Sequence, residues 1–185
     1  MKYIISGVTL ILLVVVAFLL FKSPSSIDPL VAYGMDQLSV TELVAQLENR
    51  TDEPNTLKAN IDSSGLNITA NGQSVKVDLP SDMFYLSFAP YINTTHPCGI
   101  HNLISCRGEL KQEEFHVLIS DDLGNIIIDE YMESFANGFL GVWIPSNMNG
   151  TIFITYQGLI ATTLISSFSG DYTCLTTLEL TNEIN

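Results

Sequence analysis

The sequence predicts a mainly β protein of α+β type: an antiparallel β-sandwich or barrel-like domain, preceded by a short helical segment and an N-terminal membrane helix. Three observations predict it. From Leu57 onward, apolar and polar residues alternate in short runs separated by turn residues, the mark of half-buried strands. Just before, Ser39-Val40-Thr41-Glu42 has the capping-box pattern, followed by Leu43, Val44 and Leu47 at helical spacing. At the front, no charge lies between Lys2 and Lys22.

The apolar run over residues 4–21 would span about 27 Å as a helix, close to the hydrocarbon thickness of a bilayer. Signal peptides have a shorter core and small residues at the cleavage site. Ser23 and Ser25 offer such a site, but Pro24 stands between them, so an uncleaved anchor is favoured over a cleaved signal. No cysteine follows the run, which excludes a bacterial lipoprotein anchor. Both flanks carry one lysine, so charge bias hardly sets orientation. Either way the rest of the chain is exported, to a periplasmic or other extracytoplasmic site, and on the favoured reading residues 4–21 tether it to the inner membrane. Residues 1–22 are thus the anchor or signal segment and 23–29 a Pro/Ser linker. Residues 30–55 form a small helical part, and 56–185 a β-rich domain.

In the helical part, residues 40–49 form the helix, with Leu38 as a hydrophobic staple, and residues 30–35 form another turn closed by Gly34. The helix either docks a partner or covers the core of the β domain, since one short amphipathic helix needs a surface to pack on. Asn71-Gly72 between residues 66–70 and 74–78 is a strong hairpin signal. Strands are expected near 84–91, 114–120, 126–128, 139–144, 151–156, 159–165 and 174–180. Trp143 reads as a core aromatic and His116 as an ordinary strand residue. The triplets at Asn67, Asn93 and Asn149 read as turn and strand residues rather than glycosylation sites.

Twenty Asp and Glu against seven Lys and Arg leave a formal charge of −13 over 185 residues, one domain with a modest appendage. Such a surface repels phosphate backbones, so nucleic acid is excluded as a partner. It suits cations, and it also simply confers solubility.

The chemistry is concentrated in residues 95–109, Thr-His-Pro-Cys-Gly-Ile-His-Asn-Leu-Ile-Ser-Cys-Arg-Gly-Glu, which lie between strand signals and read as an irregular loop. They hold two of three cysteines and two of three histidines; Cys174 is far downstream. An odd cysteine count in an exported chain leaves at least one thiol unpaired. Three readings stay open. Cys98 and Cys106 could form a structural disulfide, with Cys174 as a small buried hydrophobe. Three cysteines and one histidine could hold structural zinc. Or the thiolates could hold copper, since soft sulfur favours Cu(I). His96-x-Cys98 and Cys98-x-x-His101 are chelating spacings, but no paired CxxC knuckle is present. Met83 and Met148 are isolated, so a methionine-rich copper site is not indicated.

Taken together, Phe-Tyr-Leu-Ser-Phe-Ala-Pro-Tyr over residues 84–91, Thr95-His96-x-Cys98-x-x-His101-x-Leu103-x-x-Cys106-x-Gly108-Glu109, Asn137-Gly138-Phe139-x-Gly141-x-Trp143-x-Pro145 and Cys174-Leu175-Thr176-Thr177-Leu178 resemble the CueP family of periplasmic copper-binding proteins. The likeness covers residues 30–181. It implies copper resistance outside the cytoplasm, reduction of Cu(II) to Cu(I), an N-terminal part that forms a homodimer, and a β-rich copper-binding domain. It implies Cys98, Cys106 and Cys174 as redox-active copper ligands, with His96 and His101 as neighbours that bind or relay. Zinc is an ion the same donors could accept as a surrogate. The chain departs from the family pattern in its membrane segment and in Pro97 beside Cys98.

Thiol chemistry accounts for such a role. Two thiols forming a disulfide release two electrons, enough for two Cu(II) ions. Sulfur then favours the Cu(I) product, and a cationic imidazole would raise the thiolate fraction. Further rounds require an external thiol-reducing partner, and the bound ion a copper-receiving one, so the chain is a binder with redox activity more than an enzyme. The alternatives are a non-catalytic exported β domain with a structural Cys98–Cys106 disulfide, and a thiol–disulfide exchange protein.

Overall fold

The capping box forms as its sequence dictates. In this computed structural model, which describes residues 28–50, 52 and 56–182, Ser39 Oγ accepts from Glu42 N, and Glu42 Oε2 accepts from Ser39 N at 2.8 Å. One helical turn, α1 (Pro29–Ala32), precedes it and is closed by Gly34 at φ 66°. The helix α2 (Val40–Glu48) then buries Leu43, Val44, Leu47 and Glu48 along one side. The membrane helix expected over residues 4–21 lies outside the described residues. Among the described residues, no helix is long and apolar enough to cross a membrane.

Twelve strands follow among the described residues. The first three are β1 (Leu57–Asp62), β2 (Gly65–Ala70) and β3 (Gln73–Val77). Asn71 and Gly72 both take positive φ, 51° and 78°, the backbone of a two-residue hairpin turn that matches strand twist. Next come β4 (Met83–Phe88), a two-residue β5 (His101–Asn102), β6 (Glu114–Asp121) and β7 (Ile126–Glu133). The remainder are β8 (Leu140–Pro145), β9 (Asn149–Tyr156), β10 (Leu159–Ser166), β11 (Cys174–Leu175) and β12 (Thr181–Asn182).

They form three sheets, ordered β3-β2-β1-β5, β12-β10-β9-β6-β7 and β11-β4-β8. The mainly β, antiparallel expectation holds with one exception, since β11 pairs with β4 in parallel, Cys174 opposite Ser87. The alternating strand expected over residues 174–180 is correspondingly short. Its chain runs beside β4 and continues as a lone parallel bridge between Tyr91 and Glu179. Pro90 has no N–H to offer the ladder, and pairing breaks there.

The three-stranded sheet is central because both its faces are buried. Phe84, Leu86 and Phe88 point one way, with Leu140, Val142 and Ile144, into a sandwich core against Phe115, Val117, Ile119, Ile152 and Ile154. Tyr85 points the other way, into a second core with Leu43, Val44 and Leu47 of α2 and Ala59, Ile61, Leu66 and Ile68 of β1 and β2. Each such aliphatic side chain contributes about 1.5–3 kcal/mol on burial. Helix α2 therefore covers the β1–β2 sheet while its last turn reaches the central one. A third, small cluster lies at the edge of both: Ala89, Phe139 and Cys174, with Cys98 and Cys106 packed on it.

Candidate metal centre

Strand β5 is short because it serves to place one side chain. Ile61 of β1 pairs with His101, Thr173 Oγ1 donates to Ile61 O at 2.6 Å, and His101 N donates to Thr173 Oγ1 at 3.4 Å. The His101 ring is fully buried and tilts on Phe139, centroids 4.5 Å apart.

Cys106 follows on a tight turn. Asn102 Oδ1 accepts from Ile104 N and Ser105 N at 3.0 and 2.9 Å, and Asn102 O accepts from Cys106 N at 3.0 Å. Arg107 Nη1 closes the turn on the Ile104 and Cys106 carbonyls. Immediately after it, Gly108 N donates to Asn137 O at 2.7 Å, and its Cα packs on the Gly138 backbone. A Cβ on Gly108 would overlap the Gly138 carbonyl, and one on Gly138, at φ 84°, would collide with Gly108. The two glycines of the sequence motifs thus meet each other.

Cys98 lies on an irregular stretch held from two sides. Glu109 accepts from Ile92 N, Asn93 N, Thr94 N and Asn93 Nδ2, at 2.7, 2.9, 3.3 and 2.9 Å. Burial pushes the Glu109 carboxyl up, but these donors outweigh it and hold its pKa at about 2. Downstream, Thr95 Oγ1 donates to Thr176 O at 2.6 Å, and Gly99 O accepts from Thr173 N and Cys174 N. These bonds lay residues 95–100 alongside the segment that carries Cys174.

The result is a cluster of four donors. Cys98, His101, Cys106 and Cys174 each offer one atom, and these atoms all lie within 4.8 Å of one another. Cys98 and Cys174 are joined by a disulfide, Cα atoms 5.6 Å apart across 76 residues of sequence. Cys106 is the free thiol, its Sγ 3.9 Å from Cys98 Sγ. The structural Cys98–Cys106 disulfide, one of the three open readings, is therefore corrected: β11 beside β4 brings Cys174 to Cys98 instead. His101 Nδ1 is 3.7 Å from Cys174 Sγ. His96 is not one of the four; its ring stands edge-on to Phe139 with centroids 6.2 Å apart. His116 pairs with Asp129 at 2.7 Å on the β6–β7 surface, as a strand residue.

Sequence reasoning missed Glu48. It is fully buried, and Oε1 accepts from His101 Nε2 at 2.8 Å and from Tyr85 Oη at 2.9 Å. Its Oε2 accepts from Asn137 Nδ2 at 2.8 Å. A signal existed: Leu43, Val44, Leu47 and Glu48 share the apolar stripe of α2, and a carboxylate on such a stripe demands partners.

Electrostatics follow from this arrangement. Burial disfavours charge on His101, but the Glu48 carboxylate and the Cys106 sulfur together raise its pKa to about 9. Burial likewise pushes the Cys106 thiol up, yet the hydrogen bond and charge of His101, with the Asn102 N–H, bring it below its ordinary value. Burial and the neighbouring Glu48 keep the Tyr85 hydroxyl protonated, with a pKa well above its usual one.

Three sulfurs and one imidazole suit a soft or borderline ion, Cu(I) or zinc. Ligands about 2.3 Å from one ion can be no more than about 4.6 Å apart, a size the cluster matches once its disulfide is opened and the two bonded sulfurs separate. A cavity of about 520 Å³, lined among others by Pro97, Cys98, Leu164, Tyr172 and Cys174, opens beside the disulfide.

The family model described as "Periplasmic copper-binding protein CueP" matches residues 42–179. Among solved structures, the crystal structure of S.CueP is similar at 38% identity and a TM-score of 0.76, covering 82% of this chain and 96% of that one. No curated protein sequence matches.

Proposed function

The chain belongs to the CueP family of periplasmic copper-binding proteins, and from that premise we propose that it reduces Cu(II) with its own thiols and holds Cu(I) on Cys98, Cys106 and Cys174, contributing to copper resistance. The observation that carries this reading is the gathering of all three sulfurs and the His101 ring within 4.8 Å, although Cys174 is remote in sequence. In the reduced form three thiols are available to one ion. In the oxidised form Cys98 and Cys174 have become a disulfide and Cys106 remains a thiol. Passing from one to the other releases two electrons and two protons, and two Cu(II) ions become two Cu(I). After this step only the Cys106 thiolate is left to favour the reduced ion, and the three-sulfur site for Cu(I) forms again once a thiol reductant reopens the Cys98–Cys174 bond.

Copper is the substrate and cargo. The pre-oriented His101 makes Cys106 a thiolate at lower pH than a free cysteine would be, and the acidic surface favours approach of a cation. Return to the dithiol requires a thiol reductant, and release of the ion a copper-receiving protein. Residues 4–21 have the length and apolarity for an inner-membrane tether. Zinc is expected to occupy the same donors as a surrogate.

The test is a thiol count on fully reduced protein before and after two equivalents of Cu(II), with a chromogenic Cu(I) chelator. The expected result is loss of two thiols of three and two equivalents of Cu(I). Retention of all three thiols with no Cu(I) would overturn the proposal.

A further inference from the structure

A carboxylate as buried as Glu48 is costly unless its charge is fully used. Its two oxygens accept three hydrogen bonds, from His101 Nε2, Tyr85 Oη and Asn137 Nδ2. The Asn137 amide cannot turn round, because its Oδ1 accepts from Phe139 N at 2.8 Å. Its NH2 must face Glu48, which must therefore present an acceptor there. Phe139 in turn lies against the His101 ring, and His101 N is tied to Thr173 Oγ1. Every neighbour of the imidazole is thus fixed: Nε2 faces the carboxylate and Nδ1 faces the sulfurs, 3.7 Å from Cys174 Sγ.

We infer that Glu48 is the positioning residue of the metal centre: it keeps a proton on His101 Nε2, so that the ion held by the three cysteines displaces only the Nδ1 proton and takes the lone pair of that nitrogen. The inference rests on the copper reading above and adds to it a fourth ligand atom and the group that selects it. A metal-binding histidine generally gives its other ring N–H to such an acceptor, which sets the tautomer and the ring orientation. It also gives α2 a role in the site. The last residue of that helix completes a centre whose other parts come from the β body.

Glutamine at position 48 reports on this directly. Asn137 would draw the amide oxygen, leaving the amide NH2 toward His101 Nε2. That nitrogen would then have to accept, placing the ring proton on Nδ1, where the ion should bind. The experiment measures Cu(I) affinity by chelator competition for reduced wild type, E48Q, H101A and E48Q/H101A. Long-range proton–nitrogen NMR of the His101 ring is recorded on Cu(I)-loaded wild type and E48Q. The expected result is Nε2–H with unprotonated Nδ1 in wild type, and about 10–100-fold weaker binding by E48Q. E48Q/H101A should bind no more weakly than H101A, because Glu48 acts through the ring.

Three outcomes for Glu48 and the His101 ring overturn the inference, and a fourth comes from H101A alone. The three are a proton on Nδ1 in the loaded wild type, wild-type affinity in E48Q, or an equal loss from E48Q in the H101A background, which would mark a purely structural role. If E48Q does not fold, the wild-type ring spectrum decides alone. A wild type that binds no Cu(I) through its cysteines sinks the copper reading as well. A wild type that binds, with H101A equally tight, sinks only this inference.

Discussion

Cys106 Sγ stands 3.9 Å from Cys98 Sγ while Cys98 is bonded to Cys174, so one sulfur has both others as neighbours. The arrangement separates a resting thiol from an oxidised pair. Alkylation of the non-reduced protein should therefore give one adduct, on Cys106, seen by peptide mass mapping. Because His101 holds that thiol below its ordinary pKa, the rate should persist at lower pH than for a free cysteine. His101→Ala should move the rate profile up in pH. A profile unchanged by the substitution would remove the imidazole's electrostatic role.

Cys174→Ser deletes one of the proposed ligands and also frees Cys98. Cu(I) binding should weaken at least tenfold while the fold is kept, since the sandwich core does not depend on that side chain. On oxidation the variant should form a Cys98–Cys106 disulfide, because those sulfurs are already adjacent. Wild-type affinity in this variant would rule out a three-sulfur site.

Gly138 and Gly124 share a φ of 84°, but a Cβ on Gly138 meets the Gly108 backbone, whereas one on Gly124 meets nothing within 4 Å. Alanine at 124 should cost about 1 kcal/mol, the conformational penalty alone. Alanine at 138 should cost at least about 2–3 kcal/mol and weaken copper binding, because the Gly108–Gly138 contact seats both Cys106 and Asn137. Equal urea midpoints for the two variants would show the backbone contact to be dispensable.

The Glu109 clamp gives a stability term with a defined pH window. The folded pKa, about 2, is below the ordinary 4.5, so the contribution is complete above about 4.5 and is lost as pH falls toward 2. Glu109→Gln should be less stable than wild type at pH 7, and the gap should narrow to a small part of that value at about pH 2.5, closing only below about pH 2. Urea unfolding at both pH values measures it. A constant gap would mean that the carboxylate charge is not what holds residues 92–94.

Features set by near neighbours were legible in the sequence. The capping box at Ser39 and Glu42, the Asn71-Gly72 hairpin and the alternating runs of β6 and β9 each depend on residues a few positions apart. The strand expected over residues 174–180 failed for the opposite reason. Its alternation is real, but its partner is β4, in parallel and with Pro90 interrupting, and no local pattern encodes a parallel neighbour.

The site divides in the same way. Its chemistry, sulfur with imidazole in an exported acidic chain, is a property of composition and spacing, and the motifs shared with the family contain the four clustered residues together with His96, which lies outside the cluster. The pairing of Cys98 with Cys174 and the carboxylate of Glu48 beneath His101 come from packing. They join segments 76 and 53 residues apart, and only burial of the two cores against the central sheet brings such segments within bonding distance. Hydrogen bonds along a short stretch can be read from residue order. Contacts between distant stretches are decided by which faces the folded chain removes from water.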